Sequence, residues 1–316
     1  MANYVIKRLF SMIPVLLVVS IVVFLLVHLV PGDPAAVMLG AEATPQQLAE
    51  LQEQLGLNKP LAEQFFNWLG HMLSGDLGHS LVSDKEVLTL LWERLPATMA
   101  LIMYALLISV VIAIPLGIIS AVRHNTRWDY GAMLIALIGV SVPNFWAGLL
   151  LIMTFSLHLG WFPSTGYVDV TQNLWKHLEH LALPAFALGF LQAGIVTRMT
   201  RSSMLEVLKQ DYIRTIRAKG GTEKVVILKH ALKNSMIPII TIIGINFGLL
   251  LGGTVVVETI FSIPGIGQLL VQSVFNRDYP VIQGVILCVA VIYVLISLVV
   301  DLLYAYFDPK IDYNEG

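Results

Sequence analysis

Six long apolar runs constrain this chain more than any other feature of its sequence. A helix needs about 20 apolar residues to cross the hydrocarbon layer, because each residue advances it by about 1.5 Å. The composition agrees, since 57% of the residues are hydrophobic and only 13% are charged, whereas a soluble domain has about 25% charged residues. The sequence therefore predicts an all-α integral membrane protein with six transmembrane helices, at 9–30, 97–122, 131–159, 181–197, 236–257 and 281–304.

Lysine and arginine are distributed unevenly among the segments between these runs. Nine of them lie in one stretch, 198–238, which we call the basic segment: Arg198, Arg201, Lys209, Arg214, Arg217, Lys219, Lys224, Lys229 and Lys233. Segments rich in lysine and arginine stay on the cytoplasmic side of a membrane. We therefore expect both termini inside the cell, and the segments 31–96, 160–180 and 258–280 outside. Because the basic segment also has apolar residues at helical spacing, it fits either a position on anionic lipid or docking into a partner protein at the inner membrane surface.

Two local patterns refine this picture. Pro143 and Asn144 lie near the middle of the third run, which predicts a kink or a break there. In the outer segment, Thr44 with Gln47 three residues later and Pro45 between them is typical of a helix start. A small folded external cap is expected, and its excess of acidic residues fits either a solvated face or a docking surface. Trp92, Trp128, Trp161 and Trp175 lie near predicted span ends, where interfacial aromatic residues are common.

Several short motifs occur in order along nearly the whole chain: Tyr4-Val5-Ile6-Lys7-Arg8-Leu9, Pro31-Gly32-Asp33-Pro34, Gly56-Leu57-Asn58-Lys59-Pro60-Leu61, Gly75-Asp76-Leu77-Gly78, Pro143-Asn144-Phe145, the basic segment, Phe261-Ser262-Ile263-Pro264-Gly265-Ile266-Gly267 and Arg277-Asp278-Tyr279-Pro280. Together they resemble the permease subunits of the dipeptide, oligopeptide, glutathione and nickel ABC importers. The resemblance implies a type I importer permease fold with cytoplasmic N- and C-termini. It also implies three parts: an N-terminal transmembrane helix at 1–30, an external cap at 31–96, and a permease core at 97–310 with a coupling loop at 198–235.

In that family a short cytoplasmic helix in the basic segment sits in a groove of an ATPase subunit. The resemblance transfers this coupling role to Asp211, Tyr212, Arg214, Thr215, Arg217, Ala218, Lys219, Gly220 and Gly221. We expect Ile213 and Ile216 to fill that groove together with the aliphatic stems of the arginines. The Glu-Ala-Ala opening common in other importers is replaced here by Arg214-Thr215-Ile216, so a carboxylate link cannot be assumed.

The same resemblance implies the partners: a second related permease, two ATPase subunits or domains, and an external solute-binding protein, assembled in the bacterial inner membrane. The chain has no G-x-x-x-x-G-K-[ST] element. ATP and Mg²⁺ are therefore expected in the partner subunits, with no cofactor and no enzymatic activity in this chain. Its other contact is the lipid bilayer, and no nucleic acid partner is expected.

Polar residues within predicted spans are costly and usually face a cavity or a neighbouring helix. Asn144, Gln192, Asn246 and Glu258 are therefore candidates for the translocation path. For Glu258 the alternatives are binding of a cationic group on the substrate or a position among lipid headgroups. Helix packing is the alternative for the three amides. Gly244, Gly248 and Gly252 recur every four residues and would let another helix approach closely.

The sequence leaves the transported solute open. Short peptides or glutathione are preferred, with a nickel or metal-chelate importer as the alternative. His177 and His180, three residues apart, are weak evidence for a metal site because no third ligand lies nearby, and no metal is predicted. An ion-coupled secondary transporter would be expected to carry paired ionisable groups or internal repeats, and neither is evident.

Overall fold

A computed structural model describes residues 2–29, 44–54 and 58–307. All regular elements in these residues are helical, which confirms the predicted fold class. In chain order they are α1 (Ala2–Leu29), α2 (Pro45–Gln54), α3 (Leu61–Leu73), α4 (Val87–Val122), α5 (Arg127–Ser141), α6 (Asn144–Leu151), α7 (Leu174–Leu208), α8 (Asp211–Ala218), α9 (Glu223–Val225), α10 (Leu232–Phe261), α11 (Ile266–Phe275) and α12 (Tyr279–Phe307), with π-helical segments at Ile152–His158 and Val226–Ala231.

Within the described residues, five helices are long and apolar enough to cross a membrane, and a bent pair makes a sixth candidate. That pair is α5 followed by Asn144–His158, which is α6 with the π-helical segment that continues it, and the two axes differ by 101°. Proline cannot supply the N–H that a continuous helix needs, so Pro143 ends one helix and precedes the next. The predicted break in the third run is confirmed.

Three candidate spans in the described residues are much longer than the bilayer requires: α4, α7 and the continuous helical run Glu223–Phe261, which has 39 residues. Helix α4 has 36 residues and α7 has 35, so each is about 50 Å long at 1.5 Å per residue. Helix α4 begins at Val87, ten residues before the predicted start, and α7 continues to Leu208, beyond the predicted end at residue 197. The first part of the basic segment is therefore helix rather than loop.

The chain divides into two compact units. The first comprises Met1–Pro96 and Leu269–Val294. In it, Phe24 of α1 packs edge-on against Phe65 of α3, with ring centroids 5.4 Å apart, and Gln283 of α12 donates to the Val23 carbonyl. Helix α2 begins as predicted, since Thr44 Oγ1 accepts from the Gln47 N–H (3.3 Å) and the Gln47 side chain accepts from the Thr44 N–H (3.0 Å). The other end of that predicted helix, near Gly56, lies outside the described residues.

Within this first unit, Asp278 of the Arg277-Asp278-Tyr279-Pro280 motif holds the loop that follows the Gly75-Asp76-Leu77-Gly78 motif. Asp278 accepts hydrogen bonds from the Ser80 hydroxyl (2.6 Å) and the Leu81 N–H (3.1 Å). Both Ser80 and Asp278 are buried. A buried carboxylate is stable when hydrogen bonds replace its water, so this contact ties the loop after Gly75-Asp76-Leu77-Gly78 to the start of α12.

The second unit comprises Ala97–Gln268 and Leu295–Gly316 and is organised around α7. Close backbone approaches let α7 pack on two neighbours. A Cβ atom added at Gly189 would lie 2.5 Å from the Ala105 carbonyl oxygen of α4, and one added at Gly194 would lie 2.4 Å from the Ala136 oxygen of α5. In the predicted glycine series on α10, Gly244 approaches Val300 of α12 closely, whereas Gly252 faces open space.

Candidate functional site

Helix α8 is a short, separate helix in the middle of the basic segment. Its end is defined by two hydrogen bonds, from the Gly220 N–H to the Arg217 carbonyl (3.0 Å) and from the Gly221 N–H to the Ile216 carbonyl (3.1 Å). This pair of bonds is a Schellman motif, which needs a left-handed residue after the helix. Gly220 supplies it with a φ of +82°. A Cβ at Gly221 would lie 2.8 Å from Ile216 Cγ2, so the second glycine allows close packing.

The two faces of α8 differ sharply in exposure. Ile213 is fully buried and packs with Met204, Val226 and Ala231, and the partly buried Ile216 joins the same cluster. The expectation that these isoleucines fill a groove of another protein is therefore wrong, because they are already packed in the core of this chain. The exposed surface of α8 and its C-terminal turn comprises Asp211, Tyr212, Arg214, Thr215, Arg217, Ala218, Lys219 and Gly220, with Gly221 half-buried beside it. Those nine are the residues predicted for coupling, and their role stays a prediction.

Two side-chain contacts tie α8 to the segments that follow it. Asn234 at the start of α10 donates to the Tyr212 hydroxyl (2.7 Å). The Arg217 guanidinium donates to both carboxylate oxygens of Glu223, at 2.7 and 3.1 Å. This hydrogen bonding raises the pKa of Arg217 above its usual value, and a planar guanidinium held in two-point contact has a defined orientation. Helix α8 is thus held by Tyr212 near its start and by Arg217 near its end, as well as by its buried isoleucine face.

A buried ion pair lies near the cytoplasmic end of α7, the helix that leads into α8. Asp129 at the start of α5 accepts two hydrogen bonds from Arg201 of α7, at 2.8 and 2.9 Å. The same carboxylate accepts from the Ser120 hydroxyl at the end of α4 and from the Asn125 N–H (3.0 Å). Its side chain is 2% exposed. The carboxylate of Asp129 therefore joins α4, α5 and α7 near the end of α7 that leads into α8.

The predicted path residues lie in two kinds of surroundings. Gln192 and Asn246 are buried within the second unit, while Asn144 is half-buried at the start of α6. Each of the three has one side-chain atom without a hydrogen-bond partner within 58–307: Asn144 Oδ1, Gln192 Oε1 and Asn246 Nδ2. Asn144 packs over Gly253 of α10, where an added Cβ would lie 3.2 Å from its amide nitrogen. A path role for these amides stays a prediction.

Glu258 is in an arrangement that neither sequence-based alternative described. It is fully buried. Thr98 donates to Oε1 at 2.6 Å and the Gln268 N–H donates to Oε2 at 2.9 Å. The Thr98 hydroxyl also accepts from the Ile266 N–H (2.8 Å). Because the first turn of α11 has no carbonyl partners for its N–H groups, this carboxylate and hydroxyl act as its cap.

The two glycines of Pro264-Gly265-Ile266-Gly267 are explained by this carboxylate. A Cβ at Gly265 would lie 2.3 Å from Glu258 Cδ, and one at Gly267 would lie 2.6 Å from Val255 Cα and 2.9 Å from Glu258 Oε2. Any side chain at these positions would meet either the carboxylate or the backbone of α10. The motif is therefore a turn shaped around Glu258.

The two histidines considered as metal ligands have different surroundings. His177 is buried, its Nδ1 lies 2.7 Å from the Val168 carbonyl, and Tyr104 and Tyr167 pack edge-on against its ring. Nδ1 of His180 lies 2.8 Å from the Lys176 carbonyl. Within 58–307, no third group of the kind that ligates a metal completes a cluster with them. Both histidines have packing or backbone partners that account for them.

Comparison with known proteins identifies the family. The family described as "Binding-protein-dependent transport system inner membrane component" matches residues 113–313. The N-terminal family of the same membrane components matches residues 1–102. The chain belongs to this family. It is therefore a multi-pass permease of the bacterial inner membrane, and transport by such permeases depends on a binding protein and on ATPase subunits.

The similarity to known permeases extends over their whole length. The chain is 46% identical to the dipeptide transport system permease protein DppB of Alkalihalophilus pseudofirmus, over 99% of this chain and 100% of that protein. It is also 46% identical to the glutathione transport system permease protein GsiC of Salmonella typhimurium, with the same coverage. A putative peptide transport system permease of Brucella suis is 43% identical, again over 99% of this chain and 100% of that protein.

The fold is that of a solved ABC importer. The inward-facing MetNI methionine ABC transporter superposes with a TM-score of 0.59, covering 69% of this chain and 96% of that chain at 19% identity. At this identity the comparison speaks for the fold alone, and it supports the type I permease fold predicted for this permease.

Sequence reasoning missed three polar contacts of this permease. They are Asp129 with Arg201, Glu258 with Thr98, and Asp278 with Ser80, whose partners are separated by 72, 160 and 198 positions. One signal was available: a carboxylate within or next to an apolar run must be paired or hydrogen-bonded. The sequence does not say with which residue.

Proposed function

We propose that this permease forms half of the translocation path of an ATP-driven importer of short peptides, a class that includes dipeptides and glutathione. The observation that carries the proposal is the full-length similarity, at 46% identity, to dipeptide and glutathione permeases. A second homologous permease forms the other half. Two ATPase subunits or domains bind ATP with Mg²⁺, and an external solute-binding protein delivers the peptide.

Helix α8 supports the mechanical part of this proposal. Its buried isoleucines fasten it to the permease, while its exposed face offers charged and hydroxyl side chains to a partner. Movement of an ATPase subunit against that face is transmitted to α7, because only Lys209 and Gln210 separate the two helices. Rotation of α7 within the second unit then changes the path between inward-facing and outward-facing states.

Reconstitution in proteoliposomes tests the transport activity. The chain alone is expected to move no radiolabelled dipeptide, whereas the complex with its ATPases and binding protein should take it up only with ATP. Competition with unlabelled dipeptides, glutathione and nickel identifies the solute class. Uptake by the chain alone, driven by an ion gradient, would contradict the proposal, and competition by nickel but not by peptides would redirect it to metal chelates.

Cysteine cross-linking tests the docking face with neighbouring residues as the matched pair. Cys288 is the single cysteine, so a Cys288→Ser background allows single new thiols to be placed. Thr215→Cys lies on the exposed face of α8, and Ile216→Cys is the next residue on the buried face. A thiol-to-amine cross-linker should join the first but not the second to an ATPase subunit. Equal cross-linking at both positions, or none at either, would refute docking through this face.

A further inference from the structure

A groove lies at the cytoplasmic ends of α4 and α5, next to the segment that follows α8. It has a volume of about 330 Å³. Four aliphatic residues, Ile118, Ile119, Val122 and Ile227, line it together with Trp128 and Arg123. All of these residues belong to the second unit. The proposed transport function uses none of these residues at this surface.

The charge at the mouth of the groove is positive. The guanidinium of Arg123 lies 6.0 Å from the centre of the Trp128 ring, and no carboxylate in the described parts of the chain forms an ion pair with Arg123. Asp129 lies close in sequence, but its carboxylate is buried and engaged by Arg201, Ser120 and the Asn125 N–H. The acid therefore does not neutralise the mouth of the groove.

The position of the groove fits the inner headgroup region of the bilayer. It begins at the last two turns of a spanning helix and ends at a tryptophan with 64% of its surface exposed. Tryptophan is enriched at headgroup depth. The basic segment places this end of α4 on the cytoplasmic side, where the leaflet carries anionic lipid and attracts arginine near its surface.

We propose that this groove binds an anionic phospholipid of the inner leaflet. One acyl chain lies along the walls formed by Ile118, Ile119, Val122 and Ile227, and Arg123 binds the phosphate. The aliphatic walls suit a hydrocarbon chain, and Arg123, which has no ion-pair partner in the described parts of the chain, favours a negatively charged headgroup beside them. A surface of a partner protein would need polar partners spread over a larger area.

Native mass spectrometry of the purified full-length permease in mild detergent tests the site. Phosphatidylglycerol and phosphatidylcholine are titrated separately. The wild type should retain phosphatidylglycerol preferentially, and Arg123→Gln should bind it about five-fold more weakly because one arginine–phosphate contact is lost. Arg127→Gln is the matched control, since Arg127 is exposed and lies four residues away outside the groove lining. It should retain the lipid as the wild type does.

Two further variants separate charge from shape. Arg123→Lys keeps the charge and should keep most of the binding, whereas Val122→Trp fills the groove and should lose the lipid with Arg123 intact. The proposal is overturned by equal loss in Arg123→Gln and Arg127→Gln, or by equal retention of the two lipids. It is also overturned if the assembled complex cross-links a thiol at residue 123 to an ATPase subunit, because protein would then cover the groove. These readouts do not depend on transport activity, so they can fail while the importer function stands.

Discussion

Replacing Gly265 by alanine should destabilise this permease strongly through a single added methyl group. That methyl would lie 2.3 Å from Glu258 Cδ and 2.4 Å from each of its oxygens, whereas carbon atoms in contact are about 3.5 to 4.0 Å apart. The carboxylate must therefore move by about 1 Å or more. The hydrogen bonds from Thr98 and Gln268, now 2.6 and 2.9 Å long, would then exceed the usual range.

The expected loss combines overpacking with weakened hydrogen bonds to a buried charge. Overpacking costs about 1 to 3 kcal/mol, and each hydrogen bond to a charged group contributes about 1.5 to 3 kcal/mol. With partial relaxation we expect Gly265→Ala to lower the free energy of unfolding by about 3 to 5 kcal/mol. At about 2 to 4 °C per kcal/mol, the melting temperature in detergent should fall by about 10 °C.

Gly252→Ala is the matched control on α10, because no atom lies within 4 Å of the added methyl. There alanine should be neutral or stabilising by up to about 1 kcal/mol, from its higher helix propensity. A double-mutant cycle sharpens the test: in a Glu258→Ala background the clash is gone, so Gly265→Ala should cost little more. Wild-type melting of Gly265→Ala, or a full additional loss in the Glu258→Ala background, would refute the reasoning.

Substitutions at three other positions test separate features of the fold. Asp129→Asn should lower the free energy of unfolding by about 3 kcal/mol, because a partly buried guanidinium loses its counterion, and a melting temperature equal to that of the wild type would contradict this. Ser80→Ala should cost about 1 to 2 kcal/mol by leaving the Asp278 carboxylate short of one donor; hydrogen exchange across residues 81–84 should accelerate, and unchanged exchange would count against the contact. Gly220→Ala should cost about 1 kcal/mol from its left-handed φ, whereas Gly220→Asn should cost less because asparagine tolerates that conformation. Melting curves of the isolated chain check this order, and a lower melting temperature for Gly220→Asn than for Gly220→Ala would contradict it.

The sequence predicted the spans of the fold well and their ends poorly. Apolar runs identify the part of each helix that must lie in hydrocarbon, but hydropathy says nothing of a helix that continues into water. Helix α4 begins at Val87, before the predicted start, and its added part includes Glu93 and Arg94, charged residues that end an apolar run without ending the helix. The break before Asn144 was predictable, since proline imposes it through local chemistry alone.

The candidate site shows the same division between local and distant information. A separate helix in the basic segment was predicted, yet its orientation was not, because Ile213 is buried against residues from three other elements. Which face of an amphipathic helix meets its own chain depends on the arrangement of those elements. Glu258 shows this dependence most clearly, because its partners are Thr98 and the backbone of the turn that contains Gln268. In the sequence alone, an isolated carboxylate in a span resembles a residue that binds substrate.

The cytoplasmic end of α7 is an unbroken helix and can move as one rigid arm. From Gly194, where it presses on the backbone of α5, to Leu208 the helix contains no proline and no further glycine. At 1.5 Å per residue this arm is about 20 Å long. A tilt of about 10° at Gly194 would carry its tip through about 3.5 Å, somewhat less than the pitch of one helical turn, about 5.4 Å. A small tilt of α7 within the bilayer therefore displaces its end at the inner surface by several ångströms.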